Sequence, residues 1–411
     1  MNLSKQSRDM ILFFIKNKHI NYVQQSNKTK KILTDLYKEI LEAYNFIIKR
    51  NIYNYTIKKI QSATQIVKPQ NFNSKSFPEI VRKHIDENMM TEICYSFSLY
   101  ERNVKIYFIT ENDDIEVNIK LYNNYVQAIA IWLYILNIYS SKECAKKITI
   151  FLYFTSLEKT LPNSNIHILD ETNVNTAFTT TCPKDSEIVV FRKEEWFKVF
   201  IHETFHNFGL DFSMMNNTIV NNCVLNIFKV NSEVNGYEAY TEFWAEIINA
   251  LFCSFYALKN INNINDFLSN SELFINFEIT YSSFQLTKTL DFMGLSYNDL
   301  YSNTKHSLIL RENLYKEKTN VLAYYVIKNI LLNNYQSFLD WCNTNNLSLL
   351  DFKKTTGNLN EFCKFLHKNY KKSGLLSNIH QSQIFLSKIK RKKKDYKYIL
   401  TNLRMSICEL G

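Results

Sequence analysis

Six glycines and four prolines in 411 residues constrain this chain more than any other feature. Glycine and proline punctuate tight turns. A chain with so few of them has little material for a many-stranded barrel or sandwich. Long helices joined by polar connections fit instead. Hydrophobic residues make up 46% and charged residues 21%. That balance supplies a sizeable core and excludes a disordered chain.

Periodicity divides the chain. Residues 1–67 read as a helical N-terminal region, with Ile32, Leu33, Leu36, Ile40, Leu41 and Tyr44 recurring at helical spacing. The stretch KPQNFNSKSFPEI, residues 68–80, reads as a linker. Residues 94–110 then predict two strands around Glu101-Arg102-Asn103, followed by an apolar helix over about 120–140 and a buried strand over 147–155. Two more strands are expected at 174–180 and 187–192, then a helix over 193–210 stopped by Gly209. Beyond it, helices with Asn-rich connections fill 213–385, and 386–411 reads as a basic tail. The fold class expected is therefore α+β and mostly helical: a small mixed sheet with a backing helix and a further helix over 81–212, then a helical subdomain.

The helix over 193–210 carries IHETFHNFGLDF, residues 201–212. His202 and His206 are four apart, so one helical face presents both imidazoles to a single Zn²⁺. Glu203 is offset around the helix, where it can act on a water without occupying the metal. This is the HExxH arrangement. Its flanks (Trp196, Phe197, Val199, Phe200, Ile201, Phe205, Phe208) are heavily apolar, as a buried active-site helix requires.

A catalytic zinc takes three protein ligands and keeps a fourth position open. One route to the third ligand lies directly downstream. Gly209 matches the glycine of HExxHxxGxxH, but Phe212 stands at the ligand position and cannot coordinate, and Asp211 falls one residue early. The other route is EAYTEFWAEIINALF, residues 238–252. Glu238, Glu242 and Glu246 recur every four residues among Phe243, Trp244, Ile247, Ile248 and Leu251. Carboxylates on a helix otherwise built for burial are costly unless paired or metal-bound.

HExxH followed by an acidic second helix resembles the gluzincin class of zinc metallopeptidases, thermolysin-like in plan. The resemblance implies a zincin-like fold, Glu242 as third ligand and Glu246 as the acid supporting it. Glu238 stands as the alternative ligand or a second supporting acid. The segments VVFRKEEWFKVFIHETFHNFGLDF and YTEFWAEIINALF are also similar to metallopeptidase-like proteins of nucleocytoplasmic large DNA viruses, over roughly residues 90–335. By the same plan a strand at 174–180 (Asn175, Ala177, Thr179) would pair with extended substrate. Tyr324 or His306 would donate to the oxyanion, and Arg311 could hold a substrate carboxylate.

The function expected is a zinc-dependent peptidase acting on a peptide or protein, with Glu203 as general base and Zn²⁺ as cofactor. The alternative is a catalytically silent zincin scaffold or host-interaction protein of a large DNA virus. The net charge of +10 is partly local, in SKIKRKKKDYKY, residues 387–398. No nucleic-acid motif accompanies that run, so a solvated face is expected and not a nucleic-acid site. Eight scattered cysteines with no CxxC pair imply reduced thiols in an intracellular, reducing compartment. The N-terminal apolar run is too short for a signal peptide. The run at 126–139 is too short to span a membrane and predicts a buried helix.

Overall fold

The computed structural model describes residues 1–114 and 118–411. Six strands form one mixed sheet: β1 Tyr55–Lys59, β2 Thr91–Leu99, β3 Arg102–Thr110, β4 Lys147–Phe154, β5 Ala177–Thr179 and β6 Asp185–Val190. Their order is β1-β2-β3-β4-β6-β5. β1, β2 and β3 pair antiparallel, β3, β4 and β6 parallel, and short β5 closes the edge antiparallel to β6. A parallel β3–β4 pair needs a crossover. The backing helix Ile119–Tyr139 supplies it, and residues 128–136 of it are all buried. Among the described residues no helix is long and apolar enough to cross a membrane.

Side chains alternate across the sheet, as strand geometry dictates. Ile93, Tyr95, Ile106, Phe108, Ile150 and Ile188 face the main core with the helices. Ile109, Phe151, Tyr153, Val189 and Phe191 face a second, smaller core. That second core is capped by Phe72 and Phe77, from the stretch expected to be a linker, and by Val81 and Ile85 of the helix Glu79–Asn88. The 68–80 stretch is thus tied to the sheet by its two phenylalanines.

The α+β class with one small mixed sheet and backing helices holds. Three local expectations do not. Residues 55–59, read as part of a helical lead, form β1 instead. Thr56 and Ile57 favour a pleated surface, and pairing with β2 decides the conformation. The expected strand over 174–180 shrinks to Ala177–Thr179, because Asp170 caps a short helix, Glu171–Val174, ahead of it. The last residues are not a tail. The lysine-rich turn at 391–395 is exposed, but Asn402 to Leu410 are buried.

The cysteines also depart from expectation. Cys144 and Cys182 form a disulfide, bridging the loop before β4 and the β5–β6 turn. The other six are thiols. Spacing in sequence gives no sign of this pair, because the sheet brings them together from 38 residues apart.

Candidate metal centre

The HETFH helix, Trp196–Asn207, is buried along its whole length. It lies between the backing helix and a second long helix, Gly236–Tyr256. Burial obliges each polar side chain on it to find a partner. Trp132 of the backing helix donates from Nε1 to Thr204 Oγ1 at 2.7 Å. Asn207 donates to Thr179 Oγ1 of β5 at 2.9 Å and accepts from Ser186 of β6 at 3.0 Å. Lys198 donates to Glu242 at 2.6 Å. These contacts fix the helix against sheet and helix alike. It ends where Gly209 takes φ +65°, the left-handed turn that glycine adopts without strain.

The second helix starts at Gly236 for a steric reason. A Cβ there would come within 2.4 Å of Val220 Cγ1, on the helix Thr218–Ile227. Only glycine lets the two approach so closely. That approach sets the height of the glutamate stripe against the two histidines.

The Nε2 atoms of His202 and His206 lie 3.2 Å apart. Glu238 Oε2 completes a triangle, 3.1 Å from His202 Nε2 and 3.5 Å from His206 Nε2. Zinc bonds of about 2.0–2.1 Å at tetrahedral angles place ligand atoms about 3.3 Å apart. The triangle therefore has the size of one face of a zinc tetrahedron. His202, His206 and Glu238 form the one group among the described residues whose side chains could hold a metal ion together.

The rear of each imidazole is also held. His202 Nδ1 donates to Glu242 Oε2 at 2.8 Å, and His206 Nδ1 donates to Asp211 Oδ2. Asp211 is itself fixed by the Ser213 N–H at 2.9 Å and the Ser213 hydroxyl at 2.7 Å. With protons committed to the rear, both Nε2 lone pairs and the Glu238 oxygen converge as acceptors. A cation is what such a constellation lacks. The surrounding carboxylates favour positive charge at this place. Burial works to lower the pKa of His206, yet Asp211 and Glu238 outweigh it and hold it well above the ordinary value. Burial likewise works to raise Glu238, and His206 and His202 overcome it and hold it low.

Glu203 is buried and lines the cleft in front of the triangle. Burial raises its pKa, with His202 and His206 opposing. Tyr324 lines the same cleft and donates to Glu238 Oε2 at 3.0 Å. It sits on a π-helical turn, Leu322–Ile327. Such turns are frequent at functional sites.

The stripe Glu238–Glu242–Glu246 is sorted by depth. The structure brings Glu238, not Glu242, to the Nε2 atoms. Glu242 is one turn deeper, at the back of His202 between its Nδ1 and Lys198. Glu246, a turn deeper again, pairs with Lys328 and touches neither histidine. Asn175 and Ala177 line the cleft, while Thr179 is turned to Asn207 and Glu187. His306 is exposed beside Asp299 and does not line the cleft. Arg311 is buried, donating to the Asp299 and Ser302 carbonyls, so it is not free for a substrate.

Sequence reasoning passed over four residues here. Asp211 was weighed only as a ligand and serves as the anchor of His206. Lys198 carried a signal: a lysine one turn before His202 on an apolar helix needs a carboxylate. Lys159 and Met405 also line the cleft, and no local pattern marks either. No family model, curated protein or solved structure matches this chain.

Proposed function

We propose that the chain is a zinc-dependent peptidase. The observation that carries this reading is the His202–His206–Glu238 triangle, of zinc-ligand size, with each imidazole backed by a carboxylate. Carboxylate–histidine pairs of this kind fix the tautomer and raise the basicity of a liganding imidazole. Zinc held there would polarise a scissile carbonyl and acidify a water.

The protein's own groups do the remaining work. Glu203 sits beside the triangle without belonging to it, and a structural site has no need of such a carboxylate. It takes a proton from the attacking water and returns it to the departing amine. Tyr324 presents its hydroxyl at the same cleft; its one proton rests on Glu238 and would turn from there to the oxygen on which charge develops. β5 is the edge strand on the cleft side of the sheet, and its outer side offers an extended substrate a place to pair.

Metal analysis and hydrolysis assays on the same preparations test the reading. Wild-type protein is expected to hold one zinc per chain and to cleave a mixed peptide library. Glu203→Gln should keep the zinc and lose at least about a hundredfold in rate, the usual weight of a general base. Zinc without cleavage in wild type would favour the silent scaffold. Absence of zinc from folded protein would remove the peptidase reading and likewise leave the silent scaffold.

A further inference from the structure

The C-terminal segment builds part of the cleft. Met405 lines it together with Lys159, Val174, Ala177, Val199, His202 and Glu203. It arrives from the far end of the chain, on a strap held by buried hydrogen bonds. Glu195, at the start of the HETFH helix, accepts from the N–H groups of Met405 at 2.9 Å and Ser406 at 2.6 Å. Glu278 accepts from Ile407 N–H at 3.0 Å and Cys408 N–H at 2.9 Å. Tyr325, one residue after the cleft tyrosine, donates to the Leu403 carbonyl at 2.7 Å. A side chain on so tethered a backbone is fixed in place as firmly as the motif residues.

The cavity within the cleft amounts to about 40 Å³. Ligand pockets run from about 300 to 1,000 Å³, so this one falls well below that range and leaves room for only a small group. Its floor is electrically balanced, since Lys159 is paired with Glu195 and Lys198 with Glu242. Neither ammonium is left for an acidic substrate side chain, and a basic one finds no free carboxylate beyond Glu203, which the reaction uses. Val174, Ala177, Val199 and Met405 supply apolar wall.

We infer that Met405 is the size-limiting wall of the subsite beside the scissile bond, and that this subsite takes small uncharged side chains. The inference rests on the zinc-peptidase reading of the same cleft.

The test uses peptide hydroxamates, which bind a zinc site without turnover. Their side chain next to the hydroxamate is methyl, isobutyl, benzyl or carboxyethyl. Affinities are measured by calorimetry on zinc-loaded wild type and on Met405→Ala, Met405→Phe and Met405→Leu. Zinc content and melting temperature are recorded for each protein. Wild type should bind the methyl probe tightest and the carboxyethyl probe weakest. Met405→Ala should gain about tenfold for benzyl, Met405→Phe should lose about tenfold for isobutyl, and Met405→Leu, of similar volume, should keep the wild-type order.

Folded, zinc-loaded variants that all keep the wild-type order within twofold would overturn the inference. So would tighter binding of the carboxyethyl probe, or no binding of any probe to zinc-loaded wild type. Wild type that holds no zinc would overturn the underlying reading instead, and the inference with it.

Discussion

Glu238 and Glu242 differ by one helical turn, and that turn separates a carboxylate beside both Nε2 atoms from one behind His202. Both lie on the stripe that the four-residue spacing specifies, so the sequence narrows the choice to a face of the helix. It does not fix the depth. Depth follows from how closely the glutamate helix begins against Val220 at Gly236, and from Lys198, which claims Glu242. The geometry makes a contrast that metal titration can read. Glu238→Gln should abolish stoichiometric zinc binding, since an amide oxygen is a poor third ligand for zinc. Glu242→Gln should retain zinc with affinity lowered about 10–100-fold, the usual effect of losing a carboxylate behind a liganding histidine. The reverse pattern would return the ligand role to Glu242. The histidines and Glu203 were legible because HExxH is a local code, readable wherever a helix carries it. Asp211 was not. It reaches His206 only because the chain turns back at Gly209, and a turn is tertiary geometry as much as spacing.

At the scale of elements, the most regular segments were the most legible. The backing helix, the β2–β3 pair, β4 and the HETFH helix fall where periodicity places them, because each buries most of its side chains and burial enforces the pattern. β1 was missed because it is an edge strand, exposed at four of its five positions, so no apolar alternation announces it. The disulfide was missed for a related reason. Cys144 and Cys182 meet through the parallel β4–β6 pairing, and the Cys182 N–H donates to the His206 carbonyl at 3.3 Å, at the end of the motif helix. A crosslink closing a loop of 38 residues removes unfolded-state entropy worth about 3–4 kcal/mol. Reduction should therefore lower the denaturant midpoint of wild type. A Cys144→Ser, Cys182→Ser double variant should already sit at the lower midpoint and be indifferent to reductant. Equal midpoints for oxidised and reduced wild type would show that the bridge adds no stability.

On the scale of the whole molecule, one hydrophobic core runs from Met10 in the first helix to Leu410 at the end of the chain. The first helix packs through it against the helix Ser373–Lys390, and His19, just past the end of the first helix, marks where they meet. Its ring stacks on Phe385 with centroids 4.4 Å apart, and Ser382 lies within 3.4 Å of its Nε2. Burial lowers its pKa to about 4. The folded state thus holds this imidazole neutral, while the unfolded chain protonates it near pH 6.5. The unfolded state binds more protons between those values, so stability falls as pH falls from about 6.5 to 4. The shift is worth about 3 kcal/mol when fully expressed. Glu194 acts in the opposite sense. Burial raises its carboxyl to about 7, so it costs stability at high pH and relieves that cost as pH falls. The two contributions partly cancel in the wild-type curve, so the difference between proteins isolates His19. Unfolding free energy measured at pH 7 and pH 4.5 should decline more in wild type than in His19→Gln, by about 2 kcal/mol. Parallel declines would mean that the imidazole reaches water in the folded state, and that the N-terminal helix is not clamped at this end. The strap that carries Met405 is tied to the same N-terminal segment directly, by the Ser4 N–H to the Glu409 carbonyl at 2.8 Å and by Arg404 to Gln6 Oε1 at 2.8 Å, so the cleft wall shares the clamp.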